Sequence, residues 1–240
     1  MAPFGASRAG LMSVAKDEIP DSVVDNFESV DSDPAGVYDE GEGLSDYYKG
    51  ATAAYERTTD NVPVGDHALR ATDTDTTDLI LLSEPGDGLN RYPEKEETVK
   101  ALVRGEDDLR QGILTNGDYD AEEDEASGYF VHPNIKSDGS LIIAKMVDQD
   151  PNNADRTQIE STSVTLTEGN YYWVEFDTPD DDGNMEARIY EWDDPGRGDL
   201  EATVTTTDTD IDPDNRGVGV VHVDGRDGPG TVVDEIEIVE

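Results

Sequence analysis

About a dozen short runs of β-branched and aromatic residues follow one another after Pro20, parted by clusters of Gly, Asp, Asn and Pro. They include SVVDNF (22–27), HALRAT (67–72), LILLS (79–83), TVKALV (98–103), GYFVHP (128–133) and SLIIAKMV (140–147). TSVTLT (162–167), NYYWVEFD (170–177), MEARIYEW (185–192), EATVTT (201–206), GVGVVHV (217–223) and VVDEIEIV (232–239) complete the series. Several alternate with period two. In NYYWVEFD, Tyr172, Val174 and Phe176 fall on one face, and Tyr171, Trp173, Glu175 and Asp177 on the other. No segment sustains a helical period. Many short strands punctuated by turn residues predict an all-β fold, an antiparallel β-sandwich. The stretch GEDDLRQGILTNGDYDAEEDEAS (105–127) reads as an acidic connection with a short strand at LRQGIL.

Charge bears on the solvent and the partners more than on the fold. The chain carries 58 acidic against 17 basic residues, a formal charge of −41. The acids are interleaved with apolar strands, unlike those of a solvated acidic tail, so the expectation is a folded body in an acidic coat, suited to molar salt. Such a surface repels phosphates, so nucleic acid is not an expected partner. There is no cysteine. No apolar run approaches a membrane span or a signal-peptide core, so neither membrane insertion nor ordinary export is expected.

Residues 1–16 stand apart: they hold Arg8 and Lys16 and no acid, with apolar Phe4, Leu11, Met12 and Val14. Residues 1–20 are read as a docking arm that packs on another subunit, and 21–240 as the sandwich domain. A frayed terminus is the alternative.

Four features carry candidate chemistry. Glu175-Phe-Asp177-Thr-Pro-Asp180 approximates the ExDxxE strand of jelly-roll β-glucan hydrolases, where carboxylates two apart share a face. The third position is Asp rather than Glu, Pro179 ends the strand, and acids are frequent everywhere, so Glu175 and Asp177 are read as solvated strand positions and no enzymatic activity is expected. The alternating Asp208, Asp210, Asp212 and Asp214, the cluster Asp148, Asp150, Asn152 and Asn153, and the pair Asp25 and Asp234 offer hard oxygens that would suit Ca2+ or Mg2+. None has EF-hand spacing, no cofactor is required, and hydrated acidic loops are the alternative. His67, His132 and His222 are scattered, without zinc-ligand spacing. The aromatics Tyr171, Trp173 and Trp192 suit stacking on sugar faces, with Tyr47, Tyr48, Tyr92 and Tyr119 as further aromatics. Covering the sandwich edge is the competing role for the two tryptophans.

SGYFVHPNIKSDGSLIIAKMV, STSVTLTEGNYYWVEFDT, DGNMEARIYEWDD and the late GTVVDEIEIVE, in this order, resemble a concanavalin-like or laminin-G-like jelly roll of haloarchaeal type. The leading FGASRAGLMSVAKDEIPDSVV resembles the N-terminal arms of structural proteins of tailed viruses that infect halophilic archaea. The resemblance implies a virion structural protein: a capsid decoration, turret, spike or tail-fibre subunit at the virion surface. It would be a homo-oligomer, trimer or dimer, joined to other virion proteins through its arm and contacting host surface glycans or glycoproteins. A carbohydrate-binding module at the surface of a halophile is the second reading, and a degenerate jelly-roll glycoside hydrolase the third.

Overall fold

The computed structural model describes residues 23–25, 27, 49–51, 54–60, 62–71, 79–83, 92–104, 110–134, 139–193, 196–223 and 232–239. Among these residues there is no α-helix, and every paired strand is antiparallel. In chain order the strands are β1 (Val23–Asp25), β2 (Lys49–Gly50), β3 (Tyr55–Thr58), β4 (Ala68–Ala71), β5 (Leu79–Ser83), β6 (Thr98–Arg104), β7 (Arg110–Asp120) and β8 (Glu125–Asn134). They continue with β9 (Ser140–Gln149), β10 (Thr157–Ser163), β11 (Tyr171–Asp177), β12 (Asn184–Asp193), β13 (Gly196–Thr207), β14 (Gly217–Val223) and β15 (Val232–Val239). The front sheet runs β13-β12-β11-β6-β15-β4-β3, with β1 also on β15; the back sheet runs β10-β9-β8-β7-β14-β5-β2. The antiparallel sandwich expected from the sequence is the fold observed.

The two sheets differ in what they bury. On the front sheet, Val99, Ala101 and Val103 of β6, Tyr172, Val174 and Phe176 of β11, and Ala187 and Ile189 of β12 face the core between the sheets. Their alternate neighbours face outward, where Leu102, Trp173 and Glu175 are nearly out of water among charged side chains such as Lys100 and Arg188. The back sheet is apolar on both sides. Ile113, Tyr129, Val131, Leu141, Ile143, Val218 and Val220 join the inter-sheet core. Leu114, Phe130, Ile142, Ala144, Met146, Val221 and Val223 form a second buried cluster on the opposite side, joined by Ala154 from the loop after β9. This is why SLIIAKMV and GVGVVHV read as nearly unbroken apolar runs: both faces are out of water. Each large side chain so buried contributes about 1.5–3 kcal/mol.

Strand β7 extends further than the sequence suggests, because Gly112 and a register shift between Thr115 and Asp118 interrupt its apolar pattern without ending its pairing with β8. A Cβ on Gly112 would stand 1.8 Å from the Val131 carbonyl oxygen, so only glycine admits the approach of β8. Polar β10 (TQIESTS) begins before the expected strand at 162–167 and overlaps it only at Thr162 and Ser163; it is a sheet edge, where alternation of apolar residues is not required.

Candidate functional site

The outward side of the front sheet carries a ladder of charges and aromatic rings. Strand β11 supplies Tyr171, Trp173, Glu175 and Asp177, and antiparallel pairing sets Trp173 beside Leu102 and Tyr190, and Glu175 beside Lys100 and Arg188. Arg188 is the hub. Its Nε donates to Glu175 Oε2 at 3.1 Å, its Nη2 to Asp177 Oδ1 at 2.5 Å, and its Nη1 to Glu186. Arg197, from the far side of the β12–β13 hairpin, donates to the other oxygen of Glu175 and lies 4.4 Å from the centre of the Tyr190 ring. Burial works against the Arg188 charge, but Asp177, Glu186 and Glu175 overcome it and hold its pKa above the ordinary arginine range.

Glu175 is therefore not a solvated strand position. It is 3 % exposed, with a guanidinium on each oxygen. Asp177 also accepts from Thr98 Oγ1 at 2.5 Å. Asp180, third in the ExDxxE-like run, closes the β11–β12 turn: its Oδ1 accepts from the amides of Asp182 and Asn184, each at 2.9 Å, and its Oδ2 from Asn184 Nδ2 at 2.9 Å. The three carboxylates of the motif are thus built into ion pairs and a turn.

Two depressions lie at opposite ends of this face. At the Asp177 end, a groove of about 660 Å³ is lined by Asp177, Glu186, Asn184, Met185, Glu96 and the threonines near the end of β13. At the Tyr171 end, a cleft of about 270 Å³ is lined by Gly169, Asn170, Tyr171, Tyr172, Glu191 and Trp192. Six strand residues separate the ends along β11, roughly 20 Å at a strand's rise per residue.

The structure brings together two of the three stacking candidates. Tyr171 and Trp192 meet edge to face, centroids 5.3 Å apart at 72°, beside the cleft, with the Arg104 guanidinium 5.7 Å from the Tyr171 ring. Trp173 is 4 % exposed, and Lys100 Nζ lies 4.3 Å from its centroid while pairing with Glu237 at 2.7 Å. Its face belongs to the protein. Tyr92 packs against the core, and Tyr119 donates to Asp124 at 2.6 Å.

The metal candidates are placed elsewhere and apart. Asp208 and Asp210 converge on the Lys145 ammonium, at 2.5 Å for Asp208, so the cation on this pair is a side chain. Asp212 accepts from the amide of Asp214 at 2.9 Å, and Asp150 from that of Asn152 at 2.8 Å, as turn closures. Asp234, 1 % exposed, accepts from the amides of Val64 at 3.3 Å and Glu235 at 2.9 Å. Asp25 sits opposite Ile236 on β1. Among the described residues no three His, Asp or Glu gather as a metal cluster. His132 stacks on Phe130 at 5.8 Å and contacts Arg156 Nη1 at 2.9 Å through Nε2. The docking-arm residues Phe4, Arg8, Leu11, Met12 and Val14, with Tyr47 and Tyr48, lie outside the described residues.

Sequence reasoning missed the cations that organise the face: Arg188, Arg197, Lys100 and Lys145. The signal was their scarcity, 17 basic residues among 58 acids. Which acids each would hold depends on cross-strand register.

No protein-family model matches the chain, and no curated protein matches it. Solved structures similar in fold include a legume lectin-like domain from Entamoeba histolytica, 11% identical with a TM-score of 0.45, covering 78% of this chain and 88% of that one. A GH16 protein of a Bacteroides ovatus mixed linkage glucan PUL, solved with a product, is 13% identical with a TM-score of 0.47, covering 86% and 98%. A GH43 glycoside hydrolase is 12% identical with a TM-score of 0.49, covering 98% of this chain and 42% of that one. The likeness is to the concanavalin-like jelly roll as a fold. It corrects one expectation: a sandwich of this kind occurs in glycoside hydrolases, so the sequence-based exclusion of enzymatic activity is withdrawn.

Proposed function

We propose that this chain is a glycan-contacting virion subunit of a tailed virus of halophilic archaea, binding its glycan along the outward side of the front sheet from the Tyr171–Trp192 cleft toward the groove. The observation that carries the reading is the cleft. Two aromatic side chains from adjacent strands meet beside a depression of single-sugar size, with carboxylates and threonines farther along the same face. Aromatic walls suit the apolar faces of sugar rings, and a few polar groups fix orientation. Trp173 is committed to Lys100, so the stacking role falls to Tyr171 and Trp192.

The test is an array of neutral, N-acetylated, amino and uronate oligosaccharides probed in molar salt. Wild-type protein should bind at least one class. Tyr171→Ala and Trp192→Ala should each lose most of that binding, at about tenfold for a stacked ring. Retained binding in both variants, or none by wild type, would overturn the reading. The same incubations, assayed for released sugars, report any cleavage.

The virion part of the proposal rests on sequence: the acid-free segment 1–16 beside an acidic body. Several such arms in an oligomer would bind a particle together. A chain lacking residues 2–16 should fold but fail to join particles; its normal incorporation would remove this part of the proposal.

A further inference from the structure

The groove borders the front sheet, yet its rim is held from the back sheet. Lys145 of β9 places Nζ 2.5 Å from Asp208 Oδ2 and on Asp210 as well. Tyr129 of β8 donates its hydroxyl to Asp208 Oδ1 at 2.7 Å, and the same hydroxyl accepts the Ile211 amide at 3.1 Å. Lys145 and Asp208 are mostly withdrawn from water, 12 % and 15 % exposed, so their attraction is only weakly screened, whereas Asp210 is 64 % exposed.

Asp208 passes this anchorage on through its backbone. Its amide donates to the Gly183 carbonyl at 3.0 Å. Gly183 has φ +78°, and a Cβ there would stand 2.2 Å from the Asp208 carbonyl oxygen. The contact is therefore backbone against backbone and fixed in position. Gly183 in turn donates to the Asp180 carbonyl at 2.9 Å, while Thr207 Oγ1 donates to Asn184 Oδ1 at 2.9 Å. Asp180, Asn184 and Thr207 all line the groove.

We propose that Lys145 is a positioning residue for the groove: its ammonium holds Asp208 and Asp210 together, and so fixes the Gly183–Asn184 turn that forms the rim on the other sheet. As a binding role this rests on the glycan reading; as a coupling between sheets it does not. Without the ammonium, two carboxylates of a chain at −41 are left facing one another and separate, drawing the Asp208 backbone away from Gly183. Removing one partner of a mostly buried pair leaves an uncompensated charge, so the rearrangement is driven.

The experiment compares wild type, Lys145→Met, Lys145→Arg and Ile143→Val, a core change on the same strand that serves as a stability control. Hydrogen exchange at the amides of Gly183, Asn184 and Asp208 is read without ligand. Affinity for the tightest-binding oligosaccharide of the array is read separately. Lys145→Met should speed exchange at these amides at least tenfold beyond any global loss shown by Ile143→Val. It should weaken the oligosaccharide several-fold, and Lys145→Arg should restore both. Unchanged exchange at the three amides in Lys145→Met, or a change no larger than in Ile143→Val, would overturn the coupling whatever the glycan result. Altered exchange with unaltered affinity would overturn the positioning role and leave glycan binding standing. Absence of oligosaccharide binding by wild type would overturn the glycan reading instead.

Discussion

Asp208 and Asp180 give up their protons more readily in the fold than free aspartates do. Burial alone would raise Asp208, but hydrogen bonds from Lys145, the Asp210 amide and Tyr129 outweigh it and place its pKa below the ordinary 3.8. The Asn184 side chain and backbone amide do the same for Asp180 against a small opposing effect of burial. Both groups therefore stabilise the fold fully above pH 3.8. As pH falls below that value the unfolded chain takes up protons first, and the contribution is lost through the folded pKa values. Lys145 has the opposite sign: burial lowers it, its two aspartates raise it further, and its stabilisation holds below pH 10.5 and is lost above. Melting temperature in concentrated salt should be flat between neutral pH and about 4, then fall. Asp208→Asn should melt lower at pH 7 and show a shallower acid decline. An acid decline as steep as that of wild type would contradict the assignment. The residue scale is where the sequence was least legible. The alternating aspartates from Asp208 to Asp214 read as a hydrated acidic loop or a site for Ca2+, and only the register of β9 brings Lys145 onto Asp208 and Asp210. Glu175 read as a solvated acid because its two arginines come from the neighbouring strand and the hairpin beyond it.

At the scale of elements, the close pairing of β7 and β8 depends on the missing side chain at Gly112. Gly112→Ala sets a methyl 1.8 Å from the Val131 carbonyl oxygen, so the strands must part or shift register. The expected cost is about 2–4 kcal/mol, as for other overpacked or strained sites, measured by denaturant unfolding in high salt. A loss within about 0.5 kcal/mol would show that the two strands are not held this closely. Strands were legible where one face is apolar or both are. Tyr172, Val174 and Phe176, which face the core, were read as sharing one face, since two-residue alternation follows directly from the pleat. β7 was read mainly as an acidic connection, because Gly112, Asn116 and Gly117 break its apolar pattern while its backbone stays paired. The stacking pair had a partial signal: Tyr171 and Trp192 each read as candidates. Their meeting required the β11–β12 register, which a residue list does not contain.

For the whole molecule, the charge of −41 sets the conditions under which any of this holds. That figure already counts the 17 basic residues, so ion pairs such as Lys100–Glu237 and Arg188–Glu175 leave the excess of acids unchanged. Screening reaches about 3 Å at 1 M salt and about 10 Å at 0.1 M, so the remaining repulsion grows as salt is removed. Dialysis from molar salt into dilute buffer, followed by circular dichroism, should show loss of the β signal; a spectrum and melting point unchanged by dialysis would refute a salt-dependent fold. The central claim is that a glycan seats against Tyr171 and Trp192. With two tryptophans in the chain, the indole N–H resonances report it directly. On titration with the array's tightest-binding oligosaccharide in molar salt, the Trp192 signal should move in a saturable way while that of Trp173, covered by Lys100, stays in place. Movement of the Trp173 signal alone, or of neither, would contradict the account.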